Sequence, residues 1–420
     1  MGELREIMTR DRVLGSVTIP GSKSITNRAL VCASLAGGTS TLQKASDSND
    51  TLLMINGLNQ LGVLARQVGS DIIVEGGGGV LTAPKFPIPV GNAGTTLRFL
   101  LSLAALARGE TRFRADERMM ERPIDDLVQS LAHLGCRVAV ERGTASFSVS
   151  GGGLAGGRVR MQAGKSSQFL SSLMMAAPYA KEDITIDVEG DLSSASYVAM
   201  TGAVMRSFGI TTTDPPVVSI PAGKPYHATD YPVEPDASGA SYFIAAAALG
   251  RGTVMIHGLQ EASLQGDTLF VDVARRMGVR MEYQPDGLRA SWTGDLHGID
   301  IDMNTMPDVV PTLVAMALFC EGPTRISNIA HLQFKESDRL TALVTELTKL
   351  GAGITRTHDG LTVVPAPLHG ALLDTWDDHR LAMSFALIGL RVPGIVIENP
   401  SCVRKSFPAF WKEFDSLHSA

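Results

Sequence analysis

The sequence lacks several features that would place it in common functional classes. It has no C-x-x-C pair, and its four cysteines, Cys32, Cys136, Cys320 and Cys402, lie far apart along 420 residues. This spacing is typical neither of a zinc site nor of a small disulfide framework, so we expect reduced thiols and a reducing compartment. The first twelve residues carry charges of both signs and no apolar stretch, which is not the pattern of a secretory signal. We therefore predict a cytoplasmic protein.

Long apolar runs and blocks of positive charge are also missing. The longest apolar run, around residues 309–319, is too short to span a membrane and contains Pro311, so it predicts a buried helix. The net charge is −6, and no basic block interleaved with aromatic residues occurs. These observations argue against binding to a membrane or to nucleic acid. The HExxH, G-x-S-x-G and complete P-loop patterns are absent too, which argues against zinc hydrolases, Ser-triad enzymes and P-loop kinases.

What the sequence contains is one pattern repeated six times, at a spacing of roughly 70 residues. Each copy opens with a short Gly-, Ser- or Asp-rich segment and continues into an apolar helix. A Gly-marked strand follows, and then a second helix that ends at an apolar residue plus glycine in five copies. Alternating segments such as 137–149 and 353–364 predict paired strands at the end of a copy. The openings are GSKS at 21–24, GNAG at 91–94, GKSS at 164–167, DASG at 236–239, MPDV at 306–309 and DDHR at 377–380.

The first and fourth copies are the most alike, which divides the six copies into two sets of three. The Pro-rich stretch 226–235 separates the sets, and a short strand predicted over residues 12–19 precedes the first set. We therefore predict an α/β protein with two domains, each built from repeats of one small unit.

The six openings are candidate anion-binding positions. A helix N-terminus carries unpaired N–H groups and the positive end of the helix dipole. Ser, Asn and Asp at such places also serve as ordinary N-caps, so a single opening does not decide between the two roles. Lys23 and Lys165 would add positive charge to two of the openings.

Further charged residues stand at openings or in predicted loops. Several fixed cations would suit multiply charged anions, and a guanidinium can bind a carboxylate through two hydrogen bonds. Two acids are candidates for proton transfer, Asp308 and Glu336, although Asp308 could be an N-cap and Glu336 an exposed helical ion pair. The candidate cations are Arg122, Arg339, Arg380 and Lys405.

Six ordered motifs give the chain a resemblance to a known family. They are PGSKSITNRAL at 20–30, GNAGTTLR at 91–98, ERPIDDL at 121–127, SSQFLSSL at 166–173, KESDRL at 335–340 and DDHRLAM at 377–383. In order and spacing these motifs resemble the 5-enolpyruvylshikimate 3-phosphate synthases over the whole chain.

The resemblance implies the two-domain inverse α/β barrel-like fold of the enolpyruvyl transferases, with three βαβαββ repeats in each domain. One domain would comprise residues 1–19 plus 233–420 and contain the acid and base residues. The other would comprise residues 20–232 and bind shikimate 3-phosphate. The active site would lie in the cleft between them, which closes when substrates bind.

The resemblance also implies a reaction. Enzymes of this family transfer the carboxyvinyl group of phosphoenolpyruvate to the 5-hydroxyl of shikimate 3-phosphate and release phosphate, on the route to chorismate and the aromatic amino acids. They need neither a cofactor nor a metal. We expect a monomer whose partners are these two small molecules.

The motifs also imply site residues. Those implied for shikimate 3-phosphate are Lys23, Ser24, Arg28, Ser166, Ser167, Gln168, Ser194, Tyr197, Asp308, His331 and Lys335. Those implied for phosphoenolpyruvate are Lys23, Gly94, Arg122, Gln168, Arg339, Arg380 and Lys405. Asp308 would take the proton from the 5-hydroxyl, Glu336 would protonate the methylene carbon, and Lys23 would bridge both substrates. Because Gly94 leaves room for glyphosate in sensitive family members, we expect this chain to be a glyphosate target.

Three positions depart from the family's pattern. Ser194-Ala195-Ser196-Tyr197 stands where Ser-Lys-Pro-Tyr is common, which keeps the hydroxyl and the ring but changes the turn. His331 stands where many members carry Asn, so its contact with shikimate 3-phosphate could depend on pH. Phe99 stands where some members carry Pro, and we expect altered packing there.

Two other functions stay open at this level. UDP-N-acetylglucosamine 1-carboxyvinyltransferase shares the fold and the enolpyruvyl chemistry, but its usual loop cysteine is missing from residues 112–122. A non-catalytic anion-binding protein on the same scaffold would not require both Asp308 and Glu336.

Overall fold

The computed structural model describes residues 3–419 of the chain. It divides into two compact units, which we call the terminal unit (Met1–Pro20 with Glu234–Ala420) and the inserted unit (Gly21–Val233). The two internal boundaries, after Pro20 and after Val233, each lie one residue later in the chain than those given above. No helix of the described residues is both long enough and apolar enough to cross a membrane.

The helices of the described chain include the six that follow the predicted openings. The α-helices are α1 (Lys23–Leu35), α2 (Asn49–Gln60), α3 (Gly94–Leu106), α4 (Glu117–Glu121), α5 (Asp125–His133), α6 (Ser167–Ala176), α7 (Ala195–Ser207), α8 (Ala237–Leu249), α9 (Phe270–Arg276), α10 (Val310–Ala317), α11 (Arg339–Thr348), α12 (His379–Gly389) and α13 (Phe410–Ser416). Short 3₁₀ helices cover Arg142–Thr144, Ala177–Tyr179, Gly266–Leu269, Pro307–Val309, Ala330–Phe334 and Pro400–Lys405.

The strands are short, as expected for a small repeated unit. They are β1 (Leu4–Ile7), β2 (Val13–Thr18), β3 (Gly37–Gln43), β4 (Leu64–Val68), β5 (Asp71–Gly77), β6 (Ile88–Gly91), β7 (Gly109–Ala115), β8 (Arg137–Glu141), β9 (Ser146–Gly151), β10 (Gly157–Gln162), β11 (Ile184–Glu189), β12 (Val217–Ile220), β13 (Tyr231–Pro232), β14 (Thr253–His257), β15 (Arg280–Gln284), β16 (Gly287–Ser291), β17 (Leu296–His297), β18 (Asp300–Asp302), β19 (Cys320–Glu321), β20 (Thr324–Ser327), β21 (Gly353–Arg356), β22 (Leu361–Val364), β23 (Leu372–Asp374), β24 (Ile395–Glu398) and β25 (His418–Ser419).

One sheet pattern recurs in both units. Two parallel strands flank a long helix in sequence, and an antiparallel hairpin completes the sheet. The sheet β18-β20-β22-β21 shows it: β18 and β20 are parallel, and β22 is antiparallel to both β20 and β21. The sheet β6-β7-β9-β8 has the same arrangement, with β6 and β7 on either side of α3 in sequence. In β13-β3-β5-β4, and in β2-β14-β16-β15 within a sheet that also contains β25, the strands pair in the same way, but the parallel partner of β3 or of β14 is distant in sequence. The predicted α/β fold class and its repeated unit are therefore confirmed.

The third copy of each unit departs from this pattern. In the inserted unit its described sheet has three strands, β10-β11-β12. In the terminal unit β1 pairs antiparallel with β24, beside β23, although β1 and β24 lie at opposite ends of the sequence. Strands distant in sequence thus complete the repeats, as β2 also does by pairing with β14, and β13 by pairing with β3.

The glycines predicted to end the second helices have the left-handed conformation that such helix ends require. Their φ angles are +93° at Gly62, +86° at Gly135, +92° at Gly209, +105° at Gly278 and +85° at Gly351.

The helices that follow the openings form the core of each unit. Every residue of α8, α10 and α12 is buried, and so is every residue of α1 except Ser24. Neighbouring elements therefore surround these helices on all faces, and even polar residues such as Asn27 and Arg28 of α1 are buried. The predicted buried helix over residues 309–319 is α10. Polar residues at the openings therefore stand at the ends of buried helices, where they can meet one another.

Candidate active site

Asp308 is the centre of a charged cluster in the terminal unit. It lies in the 3₁₀ helix Pro307–Val309, at the opening before α10. Its Oδ2 accepts a hydrogen bond from Nη2 of Arg380 at 2.7 Å, and its Oδ1 accepts one from Nη1 of Arg339 at 3.1 Å. Nζ of Lys335 lies 3.7 Å from the same Oδ1. The N-cap of α10 is Val309, so Asp308 is not its cap.

Arg339 joins this carboxylate to two others. It is the first residue of α11 and is only 1% exposed. Its Nη2 donates to Oε2 of Glu336 at 2.8 Å, and its Nε donates to Oδ2 of Asp378 at 2.8 Å. The side chain of Glu336 is 11% exposed, so the pair is not the solvated surface ion pair considered as its alternative. One guanidinium therefore holds both of the acids that were candidates for proton transfer.

These contacts set the charge states in the cluster. Burial alone would raise the pKa of Asp308, but the positive charges of Arg380, Lys335 and Arg339 outweigh burial and hold this pKa well below its usual range. Burial lowers the pKa of Lys335, and Asp308 opposes that effect. Burial would also lower the pKa of Arg339, but three carboxylates, that of Asp378 foremost, raise it above its ordinary value. Asp308 is thus a carboxylate and Arg339 a cation at neutral pH.

His331 and Lys405 lie in the same unit. His331 is buried in the 3₁₀ helix Ala330–Phe334, and its Nε2 has no hydrogen-bond partner among the described residues. Burial, with a further contribution from Lys335, lowers its pKa to about 3. The imidazole is therefore neutral at physiological pH. Lys405 ends the 3₁₀ helix Pro400–Lys405 and is half-buried.

The inserted unit holds a second group of predicted residues, beginning with Lys23. This lysine is the first residue of α1 and is 7% exposed. Its Nζ donates to Oδ2 of Asp50 at 3.0 Å, and Asp50 lies in the first turn of α2. Ser24, the next residue of α1, is half-buried. Its carbonyl oxygen accepts a hydrogen bond from Nη1 of Arg28 at 2.9 Å.

Arg28 lies one turn further along α1 and is fully enclosed. Its guanidinium lies 5.3 Å from the ring of Phe99 and 5.7 Å from the ring of Tyr197. Burial lowers its pKa to about 10, which still leaves it charged at neutral pH. Phe99, one of the three departures from the family's pattern, thus packs against a predicted substrate residue.

Gly94 and Arg122 face each other at the start of α3. Gly94 is the first residue of this helix, and a Cβ atom built on it would lie 2.6 Å from Nη2 of Arg122. The Arg122 side chain is fixed from the other side, because its Nη1 donates to the carbonyl oxygen and to Oδ1 of Asn92, both at 3.0 Å.

The first turn of α6 presents three of the predicted residues. Ser166 caps the helix by accepting a hydrogen bond from the backbone N–H of Gln168 at 3.3 Å, and Ser167 is buried. The Gln168 amide is fixed by two bonds, since its Oε1 accepts from Nη1 of Arg98 at 2.6 Å and its Nε2 donates to Oγ1 of Thr95 at 3.1 Å.

The remaining candidate residues of the inserted unit are Lys165, before α6, and Ser194 and Tyr197, at the start of α7. Lys165 is exposed and lies 4.0 Å from Asp126, so it belongs to the rim of the α6 opening. Ser194 caps α7 with a left-handed backbone (φ 59°) and is buried, and Tyr197 stands in the first turn of that helix. The altered turn at 194–197 therefore leads directly into a helix.

Sequence reasoning did not select four residues that hold these side chains in place: Asp50, Asn92, Arg98 and Asp378. Arg98 and Asp378 carried a signal, because each is a charged residue beside or within a buried apolar helix, where an unpaired charge is costly. Asn92 lies in the GNAG opening, which is a candidate anion-binding position, whereas Asp50 carried no comparable signal. Among the described residues no group of three or more His, Cys, Asp or Glu side chains is placed to hold a metal ion.

Comparison with known proteins gives one consistent result. The family model for EPSP synthase (3-phosphoshikimate 1-carboxyvinyltransferase) matches residues 7–414. A curated 3-phosphoshikimate 1-carboxyvinyltransferase from Trichormus variabilis is 44% identical over 405 residues, which is 95% of each chain. The enzymes of the same name from Shewanella pealeana and Methanoculleus marisnigri are each 42% identical, over 97% and 94% of both chains respectively.

Solved structures agree with this chain in fold. The structure of EPSP synthase from Acinetobacter baumannii superposes with a TM-score of 0.82 and covers 99% of this chain and 98% of its own. Its sequence is 24% identical, so this similarity concerns the fold alone.

Proposed function

The chain belongs to the EPSP synthase family of enzymes, and we propose that both of its units supply residues to one carboxyvinyl transfer. The reaction is that of a 3-phosphoshikimate 1-carboxyvinyltransferase in the shikimate pathway. The 5-hydroxyl oxygen of shikimate 3-phosphate forms a bond to C2 of phosphoenolpyruvate, and the methylene carbon C3 gains a proton. The tetrahedral ketal then loses phosphate and a proton from C3, which restores the double bond.

One observation carries the assignment of the acid and the base. The guanidinium of Arg339 donates to Asp308 at 3.1 Å and to Glu336 at 2.8 Å, so one permanently charged group binds two half-buried carboxylates. The addition step needs one group to accept the hydroxyl proton and another to deliver a proton to C3. We assign the first role to Asp308 and the second to Glu336.

Phosphoenolpyruvate would itself increase the basicity of Asp308. Its carboxylate is proposed to bind Arg339 and Arg380, the two guanidiniums that bind Asp308 in this structure. A ligand carboxylate would compete with Asp308 for these cations. Because their charges lower the pKa of Asp308, their partial withdrawal would raise it and make the carboxylate a better proton acceptor.

The inserted unit would supply most of the contacts to shikimate 3-phosphate. The first turns of α1 and α6 offer backbone N–H groups, hydroxyls and the Lys23 ammonium, which together suit a phosphate. The fixed amide of Gln168 and the buried Arg28 add donors of defined direction. Lys23 is proposed to contact both substrates, and Gly94 and Arg122 to contact phosphoenolpyruvate.

We propose that the enzyme acts as a monomer in the cytoplasm, with no cofactor. The free state of all four cysteines supports a reducing compartment, since no pair of them is bonded to each other.

Phosphate release from the purified protein tests the function directly. Shikimate 3-phosphate with phosphoenolpyruvate should release phosphate, whereas UDP-N-acetylglucosamine with phosphoenolpyruvate should not. Release with the sugar nucleotide alone would move the chain to the related transferase, and release with neither acceptor would favour a binding protein.

A further inference from the structure

The Thr201 hydroxyl lies at the junction of three helices of the inserted unit. Thr201 belongs to α7 and is fully buried. Its Oγ1 accepts a hydrogen bond from Nε of Arg28, on α1, at 2.7 Å. The same oxygen lies 2.8 Å from Oγ of Ser171, on α6, and 2.8 Å from the carbonyl oxygen of Tyr197, to one of which it donates its single proton.

These contacts fix the direction of the Arg28 guanidinium. A guanidinium has five N–H donors. Within the described residues, four hydrogen bonds from Arg28 reach protein acceptors: Nε donates to Thr201, Nη1 to the Ser24 carbonyl, and Nη2 to Ser171 and to the Tyr197 carbonyl, the last two at 3.3 Å. One Nη1 hydrogen is left for a ligand, and its direction is set by the other four.

The three helices joined here are the ones whose first turns carry the proposed shikimate 3-phosphate residues. Lys23 and Ser24 open α1, Ser167 and Gln168 open α6, and Tyr197 stands in the first turn of α7. Ser171 and Thr201 each lie one turn below these openings. A single hydroxyl therefore connects the supports of three substrate-binding turns.

We propose that Thr201 is a positioning residue for shikimate 3-phosphate, acting through the Arg28 guanidinium and the carbonyl of Tyr197. This inference rests on the proposed function, in which Arg28 binds that substrate. Thr201 has no part in the chemistry, because its hydroxyl forms hydrogen bonds with Arg28 and with other groups of the protein. Its effect should therefore appear in substrate binding and not in turnover.

In this proposal the hydroxyl of Thr201, and not its methyl group, positions the Arg28 guanidinium. Replacing Thr201 with Val keeps the shape but leaves Nε of a buried cation without its acceptor, so the guanidinium must turn toward other oxygens. Replacing it with Ser keeps the acceptor and loses only a methyl group. The two substitutions thus separate the hydrogen bond from packing.

Steady-state kinetics of phosphate release tests the inference. Thr201→Val should raise the KM for shikimate 3-phosphate by about tenfold or more, because a hydrogen bond to a charged group is lost. The kcat and the KM for phosphoenolpyruvate should stay within about twofold, which is the pattern of a lost ground-state contact to one substrate. Thr201→Ser should restore the wild-type KM. Ser207→Ala is the matched control, since Ser207 is an exposed residue of α7 whose hydroxyl also bonds to the carbonyl four residues earlier.

Three results would overturn the inference: an unchanged KM for shikimate 3-phosphate in Thr201→Val, an equal rise in both KM values, or a Ser variant as impaired as the Val variant. If thermal melting shows that Thr201→Val does not fold, Ser171→Ala removes an Nη2 acceptor of Arg28 and should raise the same KM selectively. Absence of activity in the wild-type protein would contradict the proposed function, whereas an active wild type together with an unchanged KM for shikimate 3-phosphate in Thr201→Val would contradict this inference alone.

Discussion

Gly94 and Arg122 approach each other so closely that a Cβ atom on Gly94 would lie 2.6 Å from Nη2 and 2.7 Å from Cζ of Arg122. Cβ atoms essentially never approach another heavy atom within 3.0 Å. The guanidinium cannot simply withdraw, because Arg122 is 4% exposed and donates two hydrogen bonds to Asn92. The absence of a side chain at position 94 is therefore what allows Arg122 to occupy its place.

Gly94→Ala should displace Arg122 and weaken the binding of phosphoenolpyruvate. We expect the KM for phosphoenolpyruvate to rise about tenfold, since a charged hydrogen bond to one substrate would be lost or lengthened, while the KM for shikimate 3-phosphate changes little. Inhibition by glyphosate should weaken as well. Gly202→Ala is the control, because a Cβ there would meet only Oγ1 of Thr212 at an ordinary 3.6 Å. An unchanged KM for phosphoenolpyruvate would show that Arg122 does not bind it.

Replacing either acid on Arg339 should reduce turnover without unfolding the chain. Asp308→Asn and Glu336→Gln each keep the shape of the side chain but remove its proton-transfer capacity, so kcat should fall by a factor of about 10² to 10⁴. Asp300→Asn is the control, because Asp300 forms an exposed ion pair with Arg325. Near-normal kcat in both acid variants, with melting temperatures near that of the wild type, would refute their assignment as base and acid.

Local patterns in the sequence predicted the repeated unit, but they did not predict which strands distant in sequence pair with each other. The six openings begin or immediately precede α1, α3, α6, α8, α10 and α12, because the change from small polar residues to an apolar run marks a helix N-terminus. The partners of β1 and β13 could not be inferred. Each is a short strand whose neighbour lies far along the chain, and nothing in its own residues specifies that neighbour.

The same distinction holds for the site. Asp308 and Arg380 lie 72 residues apart but occupy equivalent openings of two repeats, so their contact was within reach of the repeat pattern. The contact of Asp50 with Lys23 could not be predicted from the repeat pattern. Asp50 stands in the first turn of a second helix, where an acidic residue ordinarily complements the helix dipole, and only the packing of α2 against α1 brings it to Lys23.

Asp50→Asn should therefore impair the binding of both substrates. Asp50 is 2% exposed and holds the Lys23 ammonium at 3.0 Å, so removing its charge would release Lys23 from its fixed position. Since Lys23 is proposed to contact both substrates, we expect both KM values to rise, each by severalfold. Asp47→Asn changes an exposed carboxylate in the same segment and should have no such effect. A rise in one KM alone would limit the contact of Lys23 to that substrate.

His331 should make the stability of the protein depend on pH in a predictable direction. Burial lowers its pKa to about 3, whereas an unfolded histidine titrates at about 6.5. Above pH 6.5 both states are neutral, so the imidazole adds no pH dependence. Between these two values the unfolded chain binds a proton that the folded chain does not, so the free energy of unfolding falls as the pH is lowered.

Urea unfolding of the wild type and of His331→Asn at several pH values from 8 to 4 measures this effect. The stability of the wild type relative to the variant should be constant above pH 7 and then decline by up to about 1.4 kcal/mol per pH unit as the pH falls, since the variant carries no imidazole to protonate. His358→Asn removes an exposed imidazole from the same unit and should not reproduce the decline. A relative stability that stays constant down to pH 4 would mean that His331 is protonated in the folded chain, and its contact with shikimate 3-phosphate would then be that of a cation.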